Sequence, residues 1–508
     1  MLGSKHKKIR SISTKALASK SFCLDESALY LVSLDGMPSL HYNPKDFPQY
    51  SQPFWSLPHG YLPKLKQVTI HPERPNALWV LQRYGYGSCV YLQGNLLTEA
   101  LASLPEEASL SQEDVLHGVV FYLARHHAEA YLEPPNKPLY TCDDESKLNA
   151  HSFLDNPDLQ PWLETQANAL GVYFENGVLQ PLLEKSLPLV SILLPFRDAP
   201  ALLKQVLDSL LAVKDESPPF EIIGINNQSQ DPETLALMDA YAQHKDIRFI
   251  AYDAPFNYAA MMNLGVKHAS GELILQLNND IELITPNAVT QLASWAMFPK
   301  VGAVGATLFY PDGSLQHMGC HLGICGHVGH LFRLRELDSV PKAWSHVQRP
   351  VIAVTGAMLM MRKAVYLEMA GMNEEDFQIT YNDIDLCLKS HEKGYTNLCL
   401  GSVQAIHYES ISRKKTPNKI KHQQERVERQ AFHARYAHLL QYVDPTFSRG
   451  FDMTSDTGNP SSFLWKSPLK RRLLKGRIPF TPWRFSFFRS ANGAIRLILD
   501  EPSKGELT

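Results

Sequence analysis

Cysteine is scarce in this chain. Seven thiols in 508 residues, an odd number at scattered spacing, leave no disulfide framework to read and fit reduced, mostly buried side chains. Cys320 and Cys325 form the closest pair, and no second Cys or His pair follows at zinc-site spacing, so no metal role is expected for them. Long apolar runs are missing too. "LVSILLP" and "AVTGAMLMM" fall far short of the roughly 20 residues needed to span a bilayer. The basic start "MLGSKHKKIR" lacks the apolar stretch of a secretory signal, and together these absences point to the cytoplasm. Nor is there an excess of charge: 49 Lys and Arg against 52 Asp and Glu give a net charge of -3, which names no partner.

What is present is the composition of a globular protein, 44% hydrophobic and 20% charged. At this length two or three domains are expected. Three zones emerge. Residues 1–185 mix short β-like runs ("ALYLVSL", "ALWVLQRYGYGSCVYL") with helical stretches ("EDVLHGVVFYLARHHAEAYL") and frequent prolines, with no catalytic cluster; they read as an α+β packing or partner-binding domain. Residues 186–415 alternate buried strands with helices: "LVSILLP", "APALLKQVLDSLLAV", "FEIIGI", "DPETLALMDAYAQ", "IRFIAY", "NYAAMMNLGVKHA", "ELILQL". Such alternation means βαβ units and a mainly parallel sheet, whose ligands bind beyond the carboxyl ends of the strands. Residues 416–508 begin with a charged helix. They end in "LWKSPLKRRLLKGRIPFTPWRFSFFRS", where Lys and Arg interleave with aromatics in a way that suits an anionic membrane surface or an acidic partner. No recognition motif for nucleic acid accompanies that charge, and none is expected as a partner.

Polar insertions follow the strands of the middle zone: "PFRD", "INNQSQD" and "NND", with "YNDIDLCLK" later opening a helix. Each alone is an ordinary turn or cap; their repetition along one sheet is harder to dismiss. Amides and carboxylates converging on a strand-end crevice suit a sugar nucleotide, and a diphosphate needs a hard cation with oxygen ligands. Asp280 is the carboxylate of its triplet and therefore the natural ligand, and His407 in "AIHYES" could complete the sphere of Mn²⁺.

The ordered set "LVSILLPFRD", "FEIIGINNQSQDPET", "FNYAAMMNLGVKHASGELILQLNNDIELITP", "VGAVGATLFYPDGSLQHMGCHLG", "TGAMLMMRKAV", "YNDIDLCLKSHEKGY" and "AIHYESISR" resembles family 2 glycosyltransferases. The resemblance is closest to the bacterial branch that builds O-antigen, rhamnan and related surface polysaccharides, and covers about residues 187–415. It implies a GT-A fold, and transfer of a sugar with inversion from a nucleotide-diphosphate donor to a glycan or lipid-linked glycan acceptor, with Mn²⁺ or Mg²⁺. It places Pro195, Arg197, Asn226, Asn227, Asn263, Asn278 and Asn279 at the donor, Asp280 and His407 at the metal, and Asp383 as general base. His317, Gly356 and Asp385 fall behind these groups or on the acceptor side. Where the family more often carries Asp, this chain has Asn226, Asn278 and Asn382, which lowers the negative charge of the site. The segment "QHMGCHLGICGHVGHLF" reads as a flexible Gly-rich acceptor lid, the alternatives being an ordinary surface loop or a zinc site. The competing functional reading is a transferase-like binding or scaffold module without turnover. Peripheral attachment to the inner face of the cytoplasmic membrane through the basic tail is a further expectation.

Overall fold

A computed structural model describes residues 9–13, 29–33, 54–56, 89–106, 109–126, 156–175, 178–324, 328–330, 332–340, 345–408, 418–440, 484–489 and 495–500. The middle zone opens with β1 (Val190–Phe196), whose seven residues are all buried, as an unbroken apolar run demands of a strand covered on both faces. Then come α1 (Pro200–Ala212), β2 (Phe220–Asn226), α2 (Pro232–Tyr241), β3 (Ile247–Ala251), α3 (Tyr258–His268) and β4 (Leu273–Leu277). The helix starts follow local chemistry. Asp231 caps α2 by accepting from the Thr234 amide, with Pro232 in the first turn, and Asn257 caps α3 through the Ala260 amide.

β3, β2, β1 and β4 are parallel neighbours in that order. The chain continues through β5 (Ile281–Leu283), α4 (Ala288–Met297), β6 (Val301–Phe309), β7 (Leu315–His317), β8 (Cys320–Leu322) and β9 (Val328–His330). It ends with β10 (Gln348–Val351), β11 (Met358–Arg362), α5 (Lys363–Glu368), α6 (Asn382–Glu392), β12 (Thr396–His407) and α7 (Asn418–Leu440). Beyond β4 the sheet becomes mixed: β11 runs antiparallel between β4 and β6, β12 lies parallel to β6, and β5 closes the edge antiparallel to β12. This is the mixed α/β sheet expected of a GT-A domain.

Alternation along the strands splits the core into two layers. Val190, Ile192 and Leu194 of β1 face one cluster with Leu207 of α1 and Leu292 of α4, while Leu193 faces the other with Met262 of α3 and Leu386 of α6. The first layer also takes in Leu97, Phe121 and Leu163 from the helices Gly94–Ala102, Gln112–His126 and Gln160–Ala169, so this part of the N-terminal zone packs onto the core of the large sheet. Upstream, four short strands form a separate sheet.

The charged helix read over "RKKTPNKIKHQQERVERQAFHARYAHLL" is α7 from Asn418 on, and it is not a solvated extension. Phe432, Tyr436 and Leu439 are buried in the second layer, and Glu428 accepts the Ile379 and Thr380 amides. A boundary drawn at 415 therefore cuts through a packed unit. Of the basic tail, only the hairpin strands Arg484–Arg489 and Ile495–Asp500 are described. The expected membrane contact otherwise lies outside the described residues, as does the proline-rich "EPPNKP". Among the described residues no helix is long and apolar enough to cross a membrane.

Candidate active site

Two clusters meet where β4 ends. The register sets Leu277 opposite Met358, and the Asn278 amide donates to the Ala357 carbonyl at 2.9 Å, so the triplet after β4 and the turn before β11 are adjacent. The chain reverses through Asn279 and Asp280 into β5, whose Ile281 pairs with His407 of β12. That pairing puts Asp280 Oδ1 3.1 Å from His407 Nε2, with both residues buried. The other ring nitrogen is taken: Nδ1 lies 2.6 Å from Gln316 Oε1, and the same amide's nitrogen donates to the His407 carbonyl at 3.4 Å. A carboxamide oxygen only accepts, so Nδ1 carries a proton, and in the neutral ring Nε2 presents its lone pair. Asn278 Nδ2 reaches that lone pair at 3.4 Å.

A lone pair thus faces a buried carboxylate oxygen that has no hydrogen-bond partner of its own. With the ring neutral, two acceptors aimed at one point are repulsive unless a proton or a metal ion lies between them, and one imidazole nitrogen plus one carboxylate oxygen suits Mn²⁺, or Mg²⁺ with more water. The residues present fit a divalent ion.

The second cluster lies on the other side of the Ala357 contact. Gly356 donates its N–H to Asp383 Oδ2 at 2.8 Å, and the Ile384 amide donates to Oδ1 at 2.8 Å. The Gly356 carbonyl accepts from Tyr258 Oη at 2.8 Å. A side chain at 356 would crowd this junction, because a Cβ there would lie 3.3 Å from the Asp383 Cβ and 3.4 Å from Tyr258 Oη. Asp383 is the second residue of α6, whose cap Tyr381 lies in the left-handed region (φ 61°), and it stays half-exposed. A carboxylate held by two backbone donors at a helix start is oriented to take a proton from a bound hydroxyl.

The remaining candidates divide. Pro195, one residue before the end of β1, lies buried opposite Ile225, and Arg197 beyond the strand is 54% exposed, its Nε 4.0 Å from Asp198. Asn226 Oδ1 accepts the Ser229 amide at 2.9 Å, shaping the loop after β2. Asn227 is buried and donates to the Tyr252 and Ala254 carbonyls. Asn279 sits half-buried in the turn.

One assignment changes, and two expected supporting residues find their places. Asn263, expected at the donor, braces α3 instead: its amide nitrogen donates to the Met372 carbonyl and Glu374, and its oxygen accepts from Tyr366 Oη and the Met372 amide. Asp385 points away from Asp383, fully buried, with Tyr436 Oη, Arg435 and Lys389 around it; residues two apart at a helix start cannot share a face. His317 is 1% exposed and lies under the 355–356 turn, not toward an acceptor. The expected lid is in its described part the small β8–β9 hairpin, with Cys320, Leu322 and Val328 buried.

A family model for glycosyl transferase family 2 matches residues 191–367, which takes in β1, β4, the triplet and the Gly356 turn. These residues belong to glycosyl transferase family 2. The chain is 40% identical over 229 residues to the O-antigen biosynthesis protein RfbC of Myxococcus xanthus, covering 45% of this chain and 18% of that protein. It is 34% identical over 236 residues to the uncharacterized protein y4gI of Sinorhizobium fredii, covering 46% and 26%. The chain thus spans about a quarter or less of the length of these curated relatives. Among solved structures it is similar to GalNAc-T7 with UDP, GalNAc and Mn²⁺ (13% identity, TM-score 0.37, 46% of this chain and 44% of that one). A second is the mannosyltransferase PcManGT of Pyrobaculum calidifontis with GDP-Man and Mn²⁺ (14% identity, TM-score 0.35, 50% and 65%).

Several residues of the glycosyltransferase site escape a reading of the sequence. Gln316 orients His407 from 91 positions away; its only local signal is the alternation of β7, which turns Gln316 and His317 to opposite faces. Tyr258, at the start of an apolar helix, gives no polar signal at all. Asp198 accepts the Gln230 and Asp231 amides and donates its own N–H to Ser229 Oγ, tying the ends of β1 and β2 together.

Proposed function

We propose that this domain transfers a sugar from a nucleotide-diphosphate donor to a glycan acceptor of the cell surface, with inversion at the anomeric carbon. The observation that carries the reading is the adjacency of the two clusters. The Asp280–His407 pair and the Asp383 carboxylate flank a single backbone contact, Asn278 to Ala357, at the carboxyl end of β4. Membership of family 2 supports the reaction class, and the likeness to an O-antigen biosynthesis protein supports a polysaccharide or lipid-linked glycan as acceptor.

In this reading the donor lies along the loops after β1, β2 and β4, where Arg197, Asn226 and Asn278 face the nucleotide. Asp280 and His407 would hold Mn²⁺ or Mg²⁺, which when bound neutralises charge developing on the diphosphate. Asp383 takes the proton of the acceptor hydroxyl as that oxygen attacks the anomeric carbon opposite the leaving diphosphate. Its two backbone donors fix the carboxylate, and the fixed geometry lets one oxygen lone pair meet the hydroxyl. Action in the cytoplasm, at the inner face of the membrane through the basic tail, belongs to the same proposal.

General-base catalysis is typically worth 10²–10⁴-fold. Asp383→Asn should therefore lose turnover by about that factor while binding donor as the wild type does. Turnover within about threefold of wild type would show that another group takes the proton.

A further inference from the structure

The turn that presents Gly356 to Asp383 is held from behind. His317 Nε2 accepts the Gly319 amide at 3.2 Å and the Thr355 amide at 3.4 Å. Two donors on Nε2 leave no place for a proton there, so the proton of the neutral ring sits on Nδ1. Nδ1 lies 2.8 Å from His330 Nδ1, with the rings edge to face. His317 therefore donates and His330 accepts. Burial, then the charge His330 would carry, holds the His317 pKa well below its ordinary value, which keeps the ring neutral and the polarity fixed.

Cys320 Sγ stands 3.9 Å from His317 Nδ1 and 3.7 Å from His330 Nδ1, so the three groups could pass for a metal site. The hydrogen-bond polarity argues otherwise. A metal-bound histidine normally donates its second ring N–H to an acceptor, whereas here the second nitrogen receives two backbone donors. A cation on Nδ1 would have to displace the proton that those donors force there.

We propose that His317, oriented by His330, is a positioning residue for Asp383: its lone pair fixes the Thr355–Gly356 turn so that the Gly356 N–H meets the carboxylate. The chain of contacts is continuous, running from His330 through His317 to the Thr355 amide, then one residue on to the Gly356 amide and Asp383 Oδ2. Tyr258 fixes the far side of the same peptide through the Gly356 carbonyl. The inference rests on the reading of Asp383 as general base.

The test uses side chains that keep one ring nitrogen's role and not the other's. In His317→Gln the terminal amide reaches the Nε2 place and can accept the Thr355 amide; in His317→Asn it reaches only the Nδ1 place. Steady-state transfer should show kcat lowered roughly 10–100-fold in His317→Asn, with donor KM within about twofold of wild type and most of kcat recovered in His317→Gln. A second pair works one step back. His330→Asn keeps an acceptor for His317 and should stay near wild type, whereas His330→Leu should behave like His317→Asn. Thermal unfolding identifies any variant that does not fold, and the other pair then decides.

Asp383→Asn is assayed alongside. Normal turnover in Asp383→Asn overturns the base reading and this inference together. Its loss, with wild-type kcat in folded His317→Asn and His330→Leu, overturns this inference alone. Equal loss in His317→Asn and His317→Gln also overturns it, because the missing acceptor would not be the cause. One equivalent of zinc in the purified protein, lost in Cys320→Ser, would replace the positioning role with a metal site.

Discussion

Replacing Tyr436 by Phe removes one hydroxyl from the joint between α6 and α7 and leaves the ring in place. Asp385 there is fully buried, with Tyr436 Oη at 2.6 Å and Arg435 Nε at 3.3 Å from Oδ1, and Lys389 Nζ at 2.9 Å from Oδ2. Burial, then the Asp385 charge, pushes the Tyr436 phenol well above its ordinary pKa, so it stays a donor throughout any practical assay. A hydrogen bond to a charged group contributes about 1.5–3 kcal/mol net. Two cations remain to compensate Asp385, though Arg435 is 45% exposed and its pairing is screened. The expected loss is therefore about 1.5–2 kcal/mol. For a domain of 150–250 residues this lowers Tm by roughly 3–8 °C. Asp385→Ala, which strands both cations, should cost about 3–5 kcal/mol. Urea unfolding measures both, and the double mutant measures the coupling. A Tyr436→Phe loss below about 0.3 kcal/mol, or an equal loss in the Asp385→Ala background, would refute the joint as described.

Three further outcomes follow from the site. Gln316→Leu frees the His407 ring and should weaken Mn²⁺ affinity 10–100-fold by titration calorimetry, the range expected for a lost partner behind a ligand. Gly356→Ala forces a Cβ against Asp383 and Tyr258, and should lower kcat about 10–100-fold with donor affinity kept, read by steady-state transfer. His317 holds its pKa below the unfolded value, so below about pH 6.5 the unfolded chain takes a proton that the native ring refuses; stability is full above that pH and falls by about 1.4 kcal/mol per unit beneath it, down to the native pKa. Chemical denaturation across pH 5–7 should show that slope in wild type and a shallower one in His317→Gln.

Much of the frame was legible because it depends on local pattern. The run "LVSILLP" could only be a strand covered on both faces, and "NND" after "LILQL" marked a strand end at the ligand side of a parallel sheet. What was not legible depends on register across long separations. Asp280 meets His407 because β5 pairs with β12, and Gln316 reaches His407 from a third strand. His317, Cys320 and His330 follow no zinc spacing, yet the β8–β9 hairpin sets Cys320 opposite His330. Asn263 looked like a polar group with a ligand to find, and spends its amide inside the protein. In α7 the charges that suggest a solvated helix conceal Phe432, Tyr436 and Leu439, an apolar stripe at helical spacing.

The central claim is that Asp280 and His407 hold a cation for a nucleotide-diphosphate sugar. Thermal shift across a panel of nucleotide sugars, with and without Mn²⁺, on wild type and Asp280→Ala tests it most directly. The account predicts one nucleotide class that raises Tm only when Mn²⁺ is present, with the shift abolished in Asp280→Ala. Equal stabilisation of the variant, or no shift from any donor with metal, would contradict it.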